Sequence, residues 1–483
     1  MKKLSLFFAM MMAVSVWAQM PYVQFRETSK DLNYASMNNA VVLAKTSEGV
    51  LAVVPGTRTF MKNCVISGHY FLRMIDNNGN TLREVMLPGT EDTKVFGAIL
   101  PLRITGTFVD GKAYLAYLND GKLMRTVIDP ATMQVLSSEP MPEVTNEGLI
   151  YLLCSYSPSR DFVAMAVASK NGDHLMLLDE TLMPLWVKNP NMIDWIRVDD
   201  QGNLYQATDK VDESGTHIRM TMHGADGHVA QESATFPQAM KVRYLNADNG
   251  VVVAMGVVAC DEQSKKDKYV TYDRIAGIAY DFSSRQAKIS IENITSDELN
   301  VFAGAPTKKP NKVGRADGLV VHRSLGTSFG GVAVVDRCWS VTTRDASTGM
   351  TTTDYYNLGT LVMAVDKNAR ILWHLPFRNY TKEALDDQMF SRAQLFEQGE
   401  NIYFLHVESD CLPVYDVSNP SARFNPAIKH GKHGLYCIDR QGNVTKSALK
   451  LDGCTFGSPF RTSSSSLILF QGLTRGGFAD IQF

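Results

Sequence analysis

The chain has 483 residues, of which 45% are hydrophobic and 20% charged, and its formal net charge is −2. These values are those of an ordinary globular core. Charge is well mixed along the chain, which argues against nucleic acid as a partner, because nucleic-acid-binding domains usually carry a clear basic excess. The seven cysteines form no CxxC pair, so neither a zinc ribbon nor a redox motif is predicted.

Residues 1–18 have the pattern of a secretion signal. Lys2 and Lys3 precede an apolar run, and Ala18 ends a small-x-small cleavage site. The run is shorter than the roughly 20 residues that span a bilayer, and no later stretch is long and apolar enough to cross one. Residues 19–483 are therefore expected to form one exported domain in the periplasm, on the outer-membrane surface or outside the cell. A retained N-terminal anchor is the alternative.

One strand–turn–strand pattern recurs from end to end. An alternating or apolar strand leads into a turn rich in Asp, Asn and Gly, and a second strand follows. Asp accepts hydrogen bonds from backbone N–H groups ahead of it, while Gly or Asn tolerates the positive φ of a tight hairpin. The seven copies cover residues 71–87, 123–136, 174–188, 219–233, 277–291, 361–375 and 435–449, and their turn aspartates are Asp76, Asp129, Asp179, Asp281, Asp366 and Asp439.

Short strands with turns, repeated at intervals of roughly 50 residues, are typical of propeller blades. Asp76, Asp129 and Asp179 follow this spacing, and insertions lengthen the later steps. Three C-terminal strands follow the last copy without a partner hairpin, and an early strand at 22–27 can complete them. The sequence predicts an all-β fold: a β-propeller of eight blades with four antiparallel strands each, closed by the N- and C-terminal strands. Seven blades is the alternative count, and a pair of β-sandwiches is the rival fold.

A run of motifs in residues 329–378 carries a family resemblance. A Gly-Gly strand is followed by a Thr-rich loop, a Tyr-Tyr-Asn run, a strand and a turn leading to Trp. In this the chain resembles a set of uncharacterised secreted proteins from Bacteroidetes-type bacteria. It departs from them at Leu358, where Asp is usual, and at Phe377, where a basic residue is common. The resemblance implies a secreted, propeller-like protein and no established activity. The matching residues are Gly330, Gly331, Tyr355, Tyr356, Asn357 and Trp373.

Two of the hairpin copies share a Trp seven residues after the Asp, at Trp186 and Trp373. This spacing resembles the blades of the quinoprotein-like class, which includes quinone-dependent dehydrogenases and non-catalytic assembly lipoproteins. The dehydrogenase blades carry a fuller docking motif than this chain does. We therefore interpret both Trp residues as packing residues between blades and predict no cofactor.

Motifs for catalysis are missing from the sequence. It has neither the Gly-x-Ser-x-Gly elbow of an α/β-hydrolase nor the HExxH pattern of a zinc protease. His217, His223 and His228 share one hairpin, but the first two lie some 20 Å apart along a strand at about 3.3 Å per residue. No catalytic residue and no metal site are predicted.

Three insertions are better functional candidates, because loops on a rigid scaffold commonly carry recognition. They are the basic segment 292–318, the Thr-rich segment 340–357 and the segment 409–434. We expect a monomeric, non-enzymatic protein that binds a protein or glycan. The alternative is a propeller-type enzyme with its site at the channel mouth, either a polysaccharide lyase or hydrolase or a quinone-dependent dehydrogenase. The third hypothesis is a structural part of an outer-membrane assembly. The candidate binding residues are Lys308, Lys309, Lys312, Arg315, Tyr355, Tyr356, Tyr415, Arg423, His430, Lys432 and His433.

Overall fold

The structure is a computed structural model, and almost every residue that it describes lies in a strand or a short turn. The described residues are 22–27, 41–60, 64–90, 104–119, 122–141, 144, 149–169, 172–190, 193–261, 270–295, 298, 316–317, 319–344, 351–384, 393–408, 432–452, 454–456, 460–461, 465–472 and 476–482. Within these ranges, no helix has the length and apolar character needed to cross a bilayer.

The strands are numbered along the chain. They are β1 (Tyr22–Glu27), β2 (Val41–Lys45), β3 (Gly49–Phe60), β4 (Cys64–Asp76), β5 (Thr81–Met86), β6 (Ile104–Val109), β7 (Lys112–Asn119), β8 (Lys122–Asp129), β9 (Gln134–Pro140), β10 (Leu149–Tyr156), β11 (Phe162–Ser169), β12 (Gly172–Asp179), β13 (Pro184–Lys188), β14 (Trp195–Val198), β15 (Leu204–Asp212), β16 (Gly215–His223) and β17 (Val229–Phe236). The second half comprises β18 (Met240–Asp248), β19 (Val251–Ala259), β20 (Thr271–Asp281), β21 (Gln286–Asn293), β22 (Ala316–Asp317), β23 (Leu319–Gly326), β24 (Gly330–Arg344), β25 (Thr351–Asp366), β26 (Ile371–Ala384), β27 (Gln394–Gln398), β28 (Asn401–Glu408), β29 (Lys432–Ile438), β30 (Val444–Asp452), β31 (Cys454–Phe456), β32 (Phe460–Arg461), β33 (Ser465–Gly472) and β34 (Gly476–Gln482).

Antiparallel pairing sorts the described strands into eight sheets, which we number as blades 1 to 8. Blades 1 to 4 are β2–β5, β6–β9, β10–β13 and β14–β17. Blades 5 to 7 are β18–β21, β23–β26 and β27–β30, and β22 adds to blade 5 beside β20. Within each blade we call the strands A, B, C and D in the order in which they pair.

Blade 8 is built from both ends of the chain. The strands β31 and β32 pair with β33, β33 pairs with β34, and β1 then pairs with β34 as the fourth strand. The register places Phe25 opposite Ala479. The predicted eight-bladed propeller, closed by the early strand at 22–27, is confirmed.

The A strands surround the central axis, and the core lies between neighbouring blades. A strands of adjacent blades contact one another, whereas a D strand such as β21 is largely exposed. The B and C strands are buried on both faces, as the apolar run of β19 shows. Met255 of β19 and Ile275 of β20 pack with Val335 and Met363 of blade 6. Burial contributes about 1.5–3 kcal/mol for each such side chain.

The repeated aspartates close the C–D hairpins. Asp76 Oδ1 accepts the backbone N–H groups of Asn78 (2.8 Å) and Asn80 (2.7 Å), and Asp439 binds its own turn in the same way. Gly79 takes a φ of +85°, which an L side chain rarely adopts. The predicted turn chemistry is confirmed.

The two tryptophans in the repeats pack between blades, as the sequence predicts. Trp186 on the D strand of blade 3 contacts the ring of His223 in blade 4, with 5.5 Å between ring centroids. Trp373 on the D strand of blade 6 is 7% exposed and lies in one core cluster with Ile402 and Phe404 of blade 7.

Candidate functional site

The two ends of the propeller differ in how the strands are connected. Because the strands of a blade alternate in direction, the A–B and C–D connections lie at one end and the B–C and D–A connections at the other. We call these ends the turn face and the loop face. The turn face carries short turns in blades 1 to 7, such as 199–203 and 366–370, whose backbone groups bond within the turn.

All three predicted insertions belong to the loop face. Segment 292–318 joins the D strand of blade 5 to the A strand of blade 6. Segment 340–357 includes the B–C connection of blade 6, and segment 409–434 includes the B–C connection of blade 7. The topology therefore brings the three candidate segments to one end of blades 5 to 7.

Segment 340–357 is largely strand and not loop in the structure. The strand β24 runs to Arg344 and β25 begins at Thr351, so the two form a hairpin that extends past the body of the blade. Thr, Val and Tyr favour extended backbone, which explains why a Thr-rich run pairs here. Tyr355 lies opposite Ser340, and Tyr356 lies opposite Trp339.

Other candidate residues lie at the start of β29. In the strand register, Lys432 lies opposite Glu408 of β28 and Asp452 of β30. His433 follows it and lies opposite Val407. These positions are at the loop-face end of blade 7. Seven candidates fall outside the described residues: Lys308, Lys309, Lys312, Arg315, Tyr415, Arg423 and His430.

The first residues of segment 292–318 lie close to blade 6. Thr295 donates to Glu298 Oε2 through its N–H (2.8 Å) and its hydroxyl (2.7 Å). The other oxygen, Glu298 Oε1, lies 2.8 Å from His374 Nδ1 on the D strand of blade 6. Sequence reasoning missed the contact between Thr295 and Glu298, although the Thr-x-x-Glu spacing of a capping box could have indicated it.

The far end of the same segment is held against blade 5. Ala316 pairs with Tyr272 and Asp317 with Thr271, through β22 and β20. Segment 292–318 therefore lies close to blade 6 at its first residues and pairs with blade 5 at its last.

Two carboxyl groups, Asp194 and Asp209, lie at the loop-face end of blade 4, near Tyr244 of blade 5. Burial and the nearby charge of Asp194 raise the pKa of Asp209, although the Asp209 side chain is exposed overall. Burial, together with the charges of Asp209 and Asp194, raises the pKa of Tyr244. The Tyr244 hydroxyl is buried, and no described group bonds to it. A carboxyl of raised pKa near a phenol is a candidate proton donor.

A serine, a histidine and an aspartate also meet in the B–C turn of blade 4. His217 Nε2 lies 2.9 Å from Ser214 Oγ and 3.0 Å from Asp212 Oδ1. In a catalytic triad the base contacts its nucleophile and its carboxylate through different ring nitrogens. Because both partners meet the same nitrogen here, the arrangement ties a turn and does not activate the serine.

The three histidines of this hairpin lie at opposite ends of β16. His217 stands at the loop-face end, and His223 and His228 stand at the turn-face hairpin. In the described part of the chain, no group of three His, Cys, Asp or Glu side chains could hold a metal ion.

Neither a family model nor a curated protein matches the chain. Among solved structures, the chain is similar to the Dos1 propeller at 10% identity, over 94% of this chain and 95% of that one, with a TM-score of 0.41. It is similar to dihydro-heme d1 dehydrogenase NirN in complex with DHE at 10% identity (95% and 78% coverage, TM-score 0.37). It is also similar to polysaccharide lyase Uly1 at 10% identity (81% and 91%, 0.37). The strand topology of the chain itself makes it a β-propeller, and these similarities extend no further than the fold.

Proposed function

We propose that the protein is an exported, non-enzymatic binding protein of the cell envelope or exterior, and that its loop face recognises a protein or a glycan. The observation that carries this proposal is the difference between the two faces. The long connections belong to the loop face, and segments 292–318, 340–357 and 409–434 are connections of blades 5 to 7 on that face. Loops on a rigid scaffold are where recognition residues commonly lie.

The turn face offers much less for recognition in the described residues. Its aspartates use their carboxylate oxygens to bind the backbone of their own turns, as Asp76 and Asp439 do. The sequences of the three loop-face segments contain basic and aromatic residues, which suit acidic or sugar surfaces through ion pairs and ring stacking. These candidates are Lys308, Lys309, Lys312, Arg315, Tyr355, Tyr356, Tyr415, Arg423, His430, Lys432 and His433.

Export and origin belong to the same proposal. The signal-like residues 1–18 and the resemblance of residues 329–378 both support a secreted protein of a Bacteroidetes-type bacterium, working as a monomer. Fractionation of cells that express the full chain tests this directly. The full chain is expected outside the cytoplasm, and a chain that starts at Gln19 is expected to stay within it. Equal distributions of the two chains would contradict export.

The binding proposal is tested with a panel of soluble polysaccharides and envelope proteins, with binding measured by biolayer interferometry. Three loop-face variants probe the insertions. One exchanges residues 409–431 for Asp-Gly, the pair that joins β7 to β8. The second carries alanine at Lys308, Lys309, Lys312 and Arg315. The third carries alanine at Tyr355 and Tyr356.

A turn-face variant, Arg440→Ala with Gln441→Ala, is the matched control, because both residues sit in the blade 7 turn that Asp439 closes. At least one loop-face variant is expected to weaken binding about tenfold or more, while the control binds as the wild type does. Equal loss in the control, or no binding to any panel member, would contradict the proposal.

One observation favours an enzyme as the second candidate. The pair Asp194 and Asp209, with Tyr244, places a carboxyl of raised pKa at the loop-face end of blades 4 and 5. Turnover of a polysaccharide in the same panel, lost in Asp209→Asn, would establish a lyase or hydrolase in place of a binding protein. Turnover that survives in Asp209→Asn would contradict this site.

A further inference from the structure

The A strands that surround the axis carry an excess of positive charge. Among the A-strand residues whose side chains the structure describes, five are basic and two are acidic, while the chain as a whole has a net charge of −2. A channel whose low-dielectric wall carries one sign of charge concentrates its field on the opposite sign. The basic residues are Lys45, Arg197, Lys241, Arg243 and Arg323, and the acidic residues are Asp248 and Glu397.

Both acidic residues already have partners other than Arg243. Asp248 Oδ2 accepts from Lys367 Nζ at 2.8 Å. Glu397 Oε1 accepts from the N–H (2.8 Å) and the hydroxyl (2.7 Å) of Ser328. Neither carboxylate therefore serves as the counter-ion of Arg243.

Arg243 lies in the middle of β18, on the side that faces blade 6. Lys241, two residues earlier on the same side, donates to the carbonyl of Leu319 (3.1 Å) and lies over the ring of Tyr272 (5.7 Å). Both contacts are in the gap between blades 5 and 6. Because β18 is an A strand, a side chain in its middle reaches solvent only through the central channel.

The guanidinium of Arg243 has no partner among the described residues. It is half-buried, its Nε atom is fully buried without a hydrogen bond, and no described acid forms an ion pair with it. Burial alone lowers its pKa, with no opposing carboxylate. A buried cation without a counter-ion costs free energy, and a bound anion removes that cost.

A second guanidinium reaches the same wall nearer the turn face. A Cβ on Gly326 of blade 6 would lie 3.0 Å from Arg197 Nη2, so the Arg197 side chain extends from blade 4 to the A strand of blade 6. The glycine leaves the room that this side chain occupies. The wall of blades 4 to 6 therefore presents Arg197 and Arg243 together with Lys241.

We infer that the channel wall between blades 5 and 6 binds an oxyanion, a carboxylate or phosphate group, with Arg243 as the main contact and Lys241 beside it. The fork of N–H groups on a guanidinium matches both oxyanions in a two-point contact. The site is separate from the loop-face surface. It takes a small anion, or the acidic group of a larger ligand, from the channel.

The test is thermal unfolding of the purified chain from Gln19, titrated with inorganic phosphate or with D-glucuronate. Sodium chloride keeps the ionic strength constant. The wild type is expected to show a saturable rise in Tm with at least one of the two. A response to glucuronate alone identifies a carboxylate ligand, and a response to phosphate alone identifies a phosphate ligand. No response to either overturns the inference.

Arg243→Gln is the decisive variant, because it separates a binding role from a structural one. In chloride its Tm is expected to equal or exceed that of the wild type, since an unpaired buried cation is removed. The affinity of the variant for the anion, measured by calorimetry, is expected to fall at least tenfold. A lower Tm with an unchanged anion response assigns Arg243 a structural role and overturns the inference.

Arg219→Gln is the matched control, because Arg219 is exposed on β16 and its removal changes the net charge equally. It is expected to keep the anion response. Equal loss in both variants would mean that only general charge is involved, which overturns the site. The variant with residues 409–431 replaced is expected to keep the rise in Tm with anion, because the channel site does not include the loop-face segments. Loss of anion binding and loss of loop-face binding are therefore measured in different variants, and the two proposals can fail separately.

Discussion

Trp373 of blade 6 packs directly on Gly442 of blade 7: a Cβ on Gly442 would lie 2.9 Å from both Cβ and Cγ of Trp373. Gly442 also has a φ of +84°, where an L side chain is strained. The corresponding glycine of blade 4, Gly227, has nearly the same φ (+81°) but nothing within 4 Å of its Cβ position. Substitutions at both glycines strain the backbone, but only a substitution at Gly442 also disturbs the packing between blades.

We expect Gly442→Ala to destabilise the fold more than Gly227→Ala does. The positive φ costs each variant about 1–2 kcal/mol. Gly442→Ala must also displace the Trp373 side chain, which adds about 1–3 kcal/mol. Urea unfolding at fixed pH measures both free energies. Equal losses in the two variants would show that Trp373 yields to the new methyl group and that the packing is not tight.

A buried hydrogen-bond relay joins blades 4 and 5 at the turn face, and Tyr205→Phe is expected to break it. Gly250 N–H donates to Tyr205 Oη (2.8 Å), which donates to Asp199 Oδ2 (2.8 Å). Without the hydroxyl, the Gly250 N–H loses its acceptor, which costs about 1–3 kcal/mol. Tyr244→Phe is the control, because the Tyr244 hydroxyl is buried without a described partner. Its removal is expected to be neutral or stabilising by denaturant unfolding, and a loss as large as that of Tyr205→Phe would contradict this reasoning.

His223 is expected to make the protein less stable as the pH falls. Burial, then the charges of Lys188 and His228, lower the pKa of His223 from 6.5 to about 4. Below pH 6.5 the His223 side chain binds a proton in the unfolded chain but stays neutral in the folded protein. The free energy of unfolding therefore falls with pH until about pH 4. At about 1.4 kcal/mol for each pH unit, this loss is on the order of 3 kcal/mol.

His223 also faces a cation that disfavours its protonation. Lys188 Nζ lies 3.2 Å from His223 Nδ1 and donates to the carbonyl of Gly227 (2.7 Å). Unfolding curves between pH 4 and 7 are expected to lose this slope in His223→Gln and to keep it in His217→Gln. The same slope in wild type and His223→Gln would assign the pH dependence to other groups.

The fold could be predicted because the residues that form its turns are close together in the sequence. An Asp that bonds N–H groups two and four residues ahead, with a residue of positive φ between them, defines a hairpin in a few letters. Some copies are harder to recognise, because Leu182 and Ala369 adopt the positive φ of +61° and +68° where glycine is expected. The closure by residues 22–27 was predictable because three terminal strands lacked a fourth.

The functional surface was less predictable, since it depends on what neighbouring blades bring together. Arg243 is in an ordinary alternating strand. Its neighbours in sequence do not show that it lies on an A strand, or that no described carboxylate pairs with it. Glu298 lies in the connection between blades 5 and 6, and its proximity to His374 on the D strand of blade 6 is not visible in the local sequence. Residues 340–357 were misjudged as loop, because polar threonines resemble a loop by composition although they prefer extended backbone.

Removing β1 is expected to open the ring. Its six residues pair with β34, from Tyr22 opposite Gln482 to Glu27 opposite Gly477, and no other described strand fills this place in blade 8. A chain that starts at residue 28 loses about six backbone hydrogen bonds at about 0.5–1.5 kcal/mol each, a loss on the order of 5 kcal/mol. It also exposes the edge of β34, and an exposed edge strand promotes association between chains.

A chain that starts at Tyr22 is the control, because it keeps the whole of β1. Thermal unfolding and size-exclusion chromatography are expected to show a lower Tm and larger species for the shorter chain only. A synthetic peptide of residues 19–30 is expected to restore Tm in part by adding its strand to the open edge. If the chain from residue 28 unfolds as the control does, the seven blades built from single segments suffice for stability, and the pairing of the two ends is not what holds the ring closed.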